Sequence, residues 1–119
     1  MKGTDMAFRK ERHSQNDKVY EILFPLHEID SFNGAEIRNH IVSIADQVNA
    51  IIIDFSKIAY LNSSGLRELI FILKTLREKG KILFLTQLSD DVRKIFTHTN
   101  LDKLFVFHDT LPGAIDAVG

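Results

Sequence analysis

The feature that most constrains the fold is a nearly continuous apolar run, AIIIDF, at residues 50–55. Its β-branched residues favour a strand, and the absence of polar alternation is typical of a strand covered on both faces. Strands of this kind lie in the middle of sheets whose two faces carry helices. The run therefore predicts the central strand of an α/β protein.

Four segments carry the apolar spacing of helices. The first is predicted over residues 34–48, with Asn33 and Glu36 forming a capping box. The second follows the loop LNSSG and ends at Lys79-Gly80, while Ser89-Asp90-Asp91 opens a third and residues 109–112 open a terminal helix. The positions expected to face the core are Ile37, Ile41, Ile44, Ala45 and Val48 in the first helix, Leu66, Leu69, Ile70, Leu73 and Leu76 in the second, Val92, Ile95 and Phe96 in the third, and Ala114, Ile115 and Val118 in the last.

The other strands complete an α/β order. An N-terminal hairpin is predicted over about residues 4–24, and Pro25 ends its second strand. Residues 26–32 are interpreted as a loop whose Leu26 and Phe32 cover the core, an interface being the alternative. Two more strands are predicted, at residues 81–85 and 103–107. The order β-β-α-β-α-β-α-β-α implies a mixed central sheet of about five strands with four helices, in one domain over residues 1–119 whose core spans about residues 18–118.

Composition excludes several classes of function. The 119 residues are 45% hydrophobic, enough for one core, and a net charge of -1 gives no field that would attract nucleic acid. There is no cysteine, and the five histidines lie at least ten residues apart, so neither a metal site nor another cofactor is expected. No apolar run is long enough to span a bilayer, and the N-terminus lacks the apolar block of a signal peptide. We expect a soluble cytoplasmic protein without membrane insertion.

The loop LNSSGL, residues 61–66, joins the central region to the second helix and raises a functional question. A serine at a helix N-terminus beside the carboxyl edge of a sheet is exposed, and phosphate is well tolerated there. The structural alternative is that Asn62 or Ser63 only caps the helix and that Gly65 only allows close approach to the sheet. The hydrolase spacing G-x-S-x-G and the glycine-rich phosphate loops are absent, so no enzyme activity and no catalytic residue are predicted.

Three segments together resemble a known family. They are D-F-S-x-I-x-Y-L-N-S-S-G-L from residue 54, G-K-I-L-F-L from residue 80, and D-D-V-R-K-I-F-x-x-T-N-L-D-K-L-F-V-F from residue 90. This pattern is similar to STAS domains, the fold of bacterial anti-sigma factor antagonists. The resemblance implies a regulator that binds a serine-kinase anti-sigma factor, with Ser63 as the phosphorylated residue and a serine phosphatase that restores the unmodified form. It implies a partner-binding surface made of Asp30, Asn62, Ser63, Ser64, Gly65, Leu66 and Arg67.

Three positions depart from the family pattern. Asn62 stands where the antagonists usually carry aspartate, which removes a charge beside the acceptor hydroxyl. Arg67 stands where a small residue is common, four residues after Ser63 on the same helix face, and we hypothesise that it pairs with a phosphate on Ser63. The alternative is that Arg67 is a solvated helix residue. His27 replaces a common glycine before the first helix, which suggests a loop shaped for a different partner.

Two alternative functions remain open from the sequence. One is a non-phosphorylated STAS adaptor in a larger complex, such as a stressosome-like scaffold or a lipid-transport ATPase, in which the loop only docks. The other is a nucleotide or small-ligand sensor that holds a phosphate at the N-terminus of the second helix. The sequence does not identify the kinase, the pathway or the oligomeric state.

Overall fold

A five-stranded mixed sheet forms the centre of the computed structural model, which describes residues 8–119. The strands are β1 Phe8–Gln15, β2 Lys18–Pro25, β3 His27–Ile29, β4 Ala50–Asp54, β5 Ile58–Leu61, β6 Ile82–Thr86 and β7 Val106–His108. The helices are α1 Ser31–Ile44, α2 Ser63–Glu78, α3 Asp90–His98 and α4 Leu111–Val118. This architecture confirms the predicted mixed sheet of five strands with four helices. Residues 4–7 of the predicted hairpin lie outside the described residues.

The sheet has the strand order β1-β2-β4-β6-β7, with β4 at its centre as predicted. Only β1 runs antiparallel to its neighbour, and β2, β4, β6 and β7 are parallel. Ile51, Ile52 and Ile53 are fully buried, because α1, α2 and α3 cover one face of the sheet and α4 covers the other. Parallel strands end at the same edge, so the loops that follow β4 and β6 open on one side of the molecule.

The first helix begins earlier than predicted. Asp30 is its N-cap, and a capping box joins Asp30 to Asn33, so the predicted box of Asn33 with Glu36 is wrong by one helical turn. The helix ends at Ile44 and not at residue 48, because a short 3-10 turn, Ala45–Gln47, replaces its last turn. The predicted core positions from Ile37 to Val48 are nevertheless all buried. The apolar spacing thus located the face of the helix correctly, but not its ends.

A second sheet, absent from the prediction, pairs part of the segment interpreted as a loop, residues 26–32, with the residues that lead into the loop LNSSGL. β3 and β5 pair in parallel and place Ile29 opposite Leu61. Both of these residues are buried, whereas most of their neighbours on the two short strands are exposed. Strands of three and four residues are too short to show a clear alternation, which is why the sequence did not reveal them.

The other three helices begin where the capping residues predicted. Ser89 caps α3, Thr110 caps α4, and α2 ends at Lys79 with Gly80 at a φ of +70°. Strand β7 is shorter than predicted, because residues 101–104 form turns before the strand begins at Val106. Within residues 8–119 no helix is both long enough and apolar enough to cross a membrane.

Candidate functional site

The two-stranded sheet brings the N-termini of α1 and α2 to the same edge of the molecule. Its strand β3 leads directly into α1 at Asp30, and β5 leads directly into α2 at Asn62. A hydrogen bond of 3.3 Å from the Asn62 backbone N–H to the Ile29 carbonyl joins the two turns. The backbone N–H groups at the start of each helix lack helical partners, so this edge carries the positive ends of two helices.

Asn62, and not Ser63, is the N-cap of α2. Its side-chain Oδ1 accepts a hydrogen bond of 2.8 Å from the Gly65 N–H, and its carbonyl accepts one of 2.9 Å from the Leu66 N–H. Ser63 is consequently the first residue of the helix and lies exposed. In the part of the chain that the structure describes, its hydroxyl makes no hydrogen bond to protein. The sequence left open which residue caps the helix, and this arrangement leaves the Ser63 hydroxyl unengaged.

Gly65 lets α2 approach β3 more closely than any other residue type would permit. A Cβ atom built on Gly65 would lie 2.2 Å from the Ile29 carbonyl oxygen, which belongs to the backbone of β3 and cannot rotate away. Close approach of helix to sheet, the structural role considered for this glycine, is therefore its role in the fold. It also fixes the position of Ser63, two residues earlier, relative to the α1 turn.

Asp30 uses its carboxylate to hold the start of α1. Its Oδ1 accepts hydrogen bonds of 2.9 Å from the N–H groups of both Phe32 and Asn33, and the Asn33 side chain accepts one of 2.7 Å from the Asp30 N–H. Asn33 also donates to the Glu28 carbonyl. This network holds the turn that leads into α1, which lies beside Asn62. Asp30 is therefore both part of the molecular edge where α1 and α2 begin and a residue that fixes its shape.

Two exposed aromatic side chains, Phe32 and Tyr60, lie within two residues of these turns, and a third, Phe71, lies two turns further along α2. Phe32, in the first turn of α1, is 76% exposed, which overturns the interpretation that it covers the core, whereas Leu26 is half-buried. Tyr60 in β5 is 54% exposed and Phe71 in α2 is 51% exposed. Large apolar side chains left in water near one edge are typical of protein-binding surfaces.

The sequence did not single out Tyr60 and Phe71 as functional residues. A signal for Phe71 was present, because it lies off the apolar stripe that α2 turns to the core. Arg38 of α1 pairs with Glu68 of α2 at 2.7 Å and lies 5.5 Å from the centre of the Phe71 ring. These contacts fasten the outer faces of the two helices together.

The remaining predicted site residues divide into surface and core. Arg67 is exposed, and among residues 8–119 it has no ion pair or hydrogen-bonding partner. Ser64 is partly exposed, whereas Leu66 is 6% exposed and belongs to the core beneath the turn. The solvent-accessible surface at the start of α2 is therefore made by Asn62, Ser63, Ser64 and Arg67. Gly65 and Leu66 are buried beneath this surface and pack against the core.

These features define an α/β domain with an exposed serine at a helix N-terminus, fixed by a neighbouring short parallel sheet. A family model described as the STAS domain matches residues 13–114. The chain therefore belongs to the STAS domain family, as its sequence motifs indicated.

Solved structures share this fold along nearly the whole chain. A suspected anti-sigma factor antagonist from Thermotoga maritima superposes with a TM-score of 0.79 at 23% identity, covering 91% of this chain and 92% of that one. The phosphorylated form of the Bacillus cell fate determinant SpoIIAA gives a TM-score of 0.72 at 24% identity, covering 95% and 100%. An anti-sigma factor antagonist from Mycobacterium paratuberculosis gives 0.72 at 24% identity, covering 93% of both chains. At these identities the likeness establishes the fold.

Proposed function

We propose that this chain is an anti-sigma factor antagonist that acts by partner switching. In the unmodified form it binds a serine-kinase anti-sigma factor through the surface around Ser63, and phosphorylation of Ser63 releases that partner until a serine phosphatase removes the phosphate. The observation that carries the proposal is the exposed, unengaged hydroxyl of Ser63 at the first position of α2. Membership of the STAS family supports it.

The local chemistry favours phosphorylation without unfolding. A phosphoserine adds about -1.5 to -2 charges, and the N-terminus of a helix stabilises a negative charge by about 0.3–1 kcal/mol. Asn62 supplies the cap as a neutral amide, so the phosphate would meet no carboxylate at the residue before it. The domain is therefore expected to keep its fold when Ser63 is modified.

The same charge is unfavourable for a bound partner. Phe32 and Tyr60 make the surroundings of the α1 and α2 turns partly apolar, so a partner that covers them removes water from Ser63 as well. An unpaired charge buried in such an interface costs several kcal/mol. Phosphorylation would thus release the partner through the cost of burying the new charge, without requiring any movement of the backbone.

Ser63 is expected to carry a phosphate in cells. Intact-mass and phosphopeptide analysis of the protein isolated from its native cells should show one added phosphate on Ser63. The Ser63→Ala variant should lack it, and the matched Ser64→Ala variant should keep it. If Ser63 stays unmodified through growth phases and stresses, the switch is contradicted, and the non-phosphorylated adaptor becomes the better explanation of the loop.

Arg67 is expected to hold that phosphate once it is attached. Its guanidinium has no ion-pair partner within residues 8–119 and lies one helical turn beyond Ser63. Arg67→Ala should therefore change the rate at which a phosphatase dephosphorylates phospho-Ser63, and lower the thermal stability of the phosphorylated form only. Lys74→Ala, another exposed cation on α2, is the control. Unchanged values for both measurements would make Arg67 a solvated helix residue.

A further inference from the structure

Strand β7 is an edge of the five-stranded sheet, and one side of it has no partner among residues 8–119. Ile82 donates to Asn49 and Thr86 accepts from Phe55, so the even-numbered residues of β6 bond toward β4. The alternation of a parallel ladder then directs Leu83 and Leu85 toward β7. Phe107 lies opposite Leu85, so its own N–H and carbonyl point away from the sheet.

Apolar side chains are exposed beside this edge. Val106 is 50%, Leu104 40% and Ile82 36% exposed. They line a groove of about 260 Å³ whose other walls are Leu73, Arg77, Lys81, Leu83 and Phe84. The groove exists because β7 begins only at Val106, which leaves the first residues of β6, Ile82 and Leu83, without a neighbour in β7.

Charge is distributed unevenly along β7. Lys103 precedes the strand, and Arg77 and Lys81 line the groove at that same end. The Arg77 guanidinium donates a hydrogen bond of 2.8 Å to the Leu104 carbonyl, which holds it there. Asp109 follows the strand at its opposite end and is exposed. The β7 edge therefore carries cations beside the N-terminal end of the strand and a carboxylate beside its C-terminal end.

We propose that this edge binds a second copy of the chain, with the two β7 strands antiparallel and Phe107 opposite Phe107 on the dyad. This pairing uses the free N–H and carbonyl of Phe107 and joins two five-stranded sheets into one of ten strands. The antiparallel arrangement brings the start of each β7, where Lys103, Arg77 and Lys81 lie, toward the end of the other β7, where Asp109 lies. The same contact occurs twice, because the interface is self-complementary.

The proposed dimer leaves the Ser63 surface open. Ser63 begins α2 and Arg77 lies fourteen residues later on the same helix, which corresponds to roughly 21 Å along its axis. Dimerisation and partner switching are therefore predicted to be independent. The inference holds whether or not Ser63 is phosphorylated, and Ser63→Glu should leave the dimer dissociation constant unchanged.

Charge reversal tests the pairing directly. Sedimentation equilibrium over a range of protein concentrations should show a monomer–dimer equilibrium for the wild type. Lys103→Asp and Asp109→Lys should each weaken the dimer by roughly tenfold or more, because each brings like charges to the same end of the interface at two symmetric positions. The double variant Lys103→Asp/Asp109→Lys should restore most of the lost affinity. Lys57→Asp, an exposed charge reversal in the loop after β4, two strands from β7 in the sheet, should have no effect.

Val106→Lys provides a second test that does not depend on ion pairs. A lysine on an edge strand opposes edge-to-edge pairing, so this variant should also weaken the dimer by roughly tenfold or more while keeping the circular dichroism spectrum of the wild type. A wild-type protein that stays monomeric at all concentrations overturns the proposal, and leaves the groove to a different partner. A dimer that is insensitive to Val106→Lys and to both charge reversals overturns it equally, because its interface then lies elsewhere.

Discussion

Replacing Gly65 with alanine is expected to destabilise the protein by about 3 kcal/mol, an unusually large loss for the addition of one methyl group. The new Cβ would lie 2.2 Å from the Ile29 carbonyl oxygen, and 2.7 Å from the carbon of the same group. Both atoms belong to the backbone of β3, so relief requires α2 to move away from the two-stranded sheet. Urea unfolding followed by circular dichroism would measure the loss of free energy.

Gly34→Ala is the matched control for this prediction. Gly34 is also a buried glycine in the first turns of a helix, but a Cβ built there lies 3.1 Å from Cγ of Glu68, a side-chain atom that can shift. Gly34→Ala should therefore cost much less than Gly65→Ala, and the alanine's better helix propensity offsets part of that cost. Equal losses for the two variants would show that the close approach to Ile29 is not what requires glycine at residue 65.

Long elements with a strong apolar pattern were predictable from the sequence, and short ones were not. The run at residues 50–55 is the central strand because its isoleucines need cover on both faces. Helix α2 was predictable because five leucine and isoleucine positions recur at helical spacing and a glycine ends it. The start of α1 was missed because Asn33 with Glu36 matches the usual capping-box pattern, whereas in the structure Asn33 takes the N3 position of a box formed with Asp30.

The loop around Ser63 was predictable from the sequence, whereas the exposed aromatic residues near it were not. The motif around Ser63 was enough to locate the loop at the start of α2, because asparagine, serine and glycine each have a known role at the start of a helix. The exposure of Tyr60 and Phe71 was not foreseen, and for Phe32 an exposed interface was only the alternative to the preferred core position, since exposure depends on which side of a short strand or turn faces the sheet. Phe32 shows the difficulty, because a single hydrophobic residue near a loop is more often buried than exposed.

The site combines a fixed backbone with a changeable charge. Gly65 is held against β3, and the side chains of Asn62 and Asp30 cap their helices. Little at this edge is free to rearrange, so a modification on Ser63 acts mainly through its charge and its hydration. This arrangement suits a switch in which the partner leaves and the domain itself keeps its structure.

A buried carboxylate ties the N-terminal hairpin to α1. Glu21 of β2 is 3% exposed. Arg12 of β1 donates from its Nε to Glu21 Oε1 at 3.1 Å, and His40 of α1 donates from its Nε2 to Glu21 Oε2. Arg12 also donates to the Gln47 side chain at 2.9 Å, beyond the end of α1. Each carboxylate oxygen thus has a partner, and removal of both partners would leave a charge buried without compensation.

The double variant Arg12→Met/His40→Leu is expected to lose about 3–5 kcal/mol of unfolding free energy, because an unpaired buried carboxylate is far costlier than the packing lost with its partners. Adding Glu21→Leu should restore most of that loss, since a buried ion network replaced by apolar residues of similar size is often close to neutral. Urea unfolding of the wild type, the double and the triple variant would measure both steps. A triple variant no more stable than the double would show that the hairpin depends on the lost packing of Arg12 and His40, and not on the burial of Glu21.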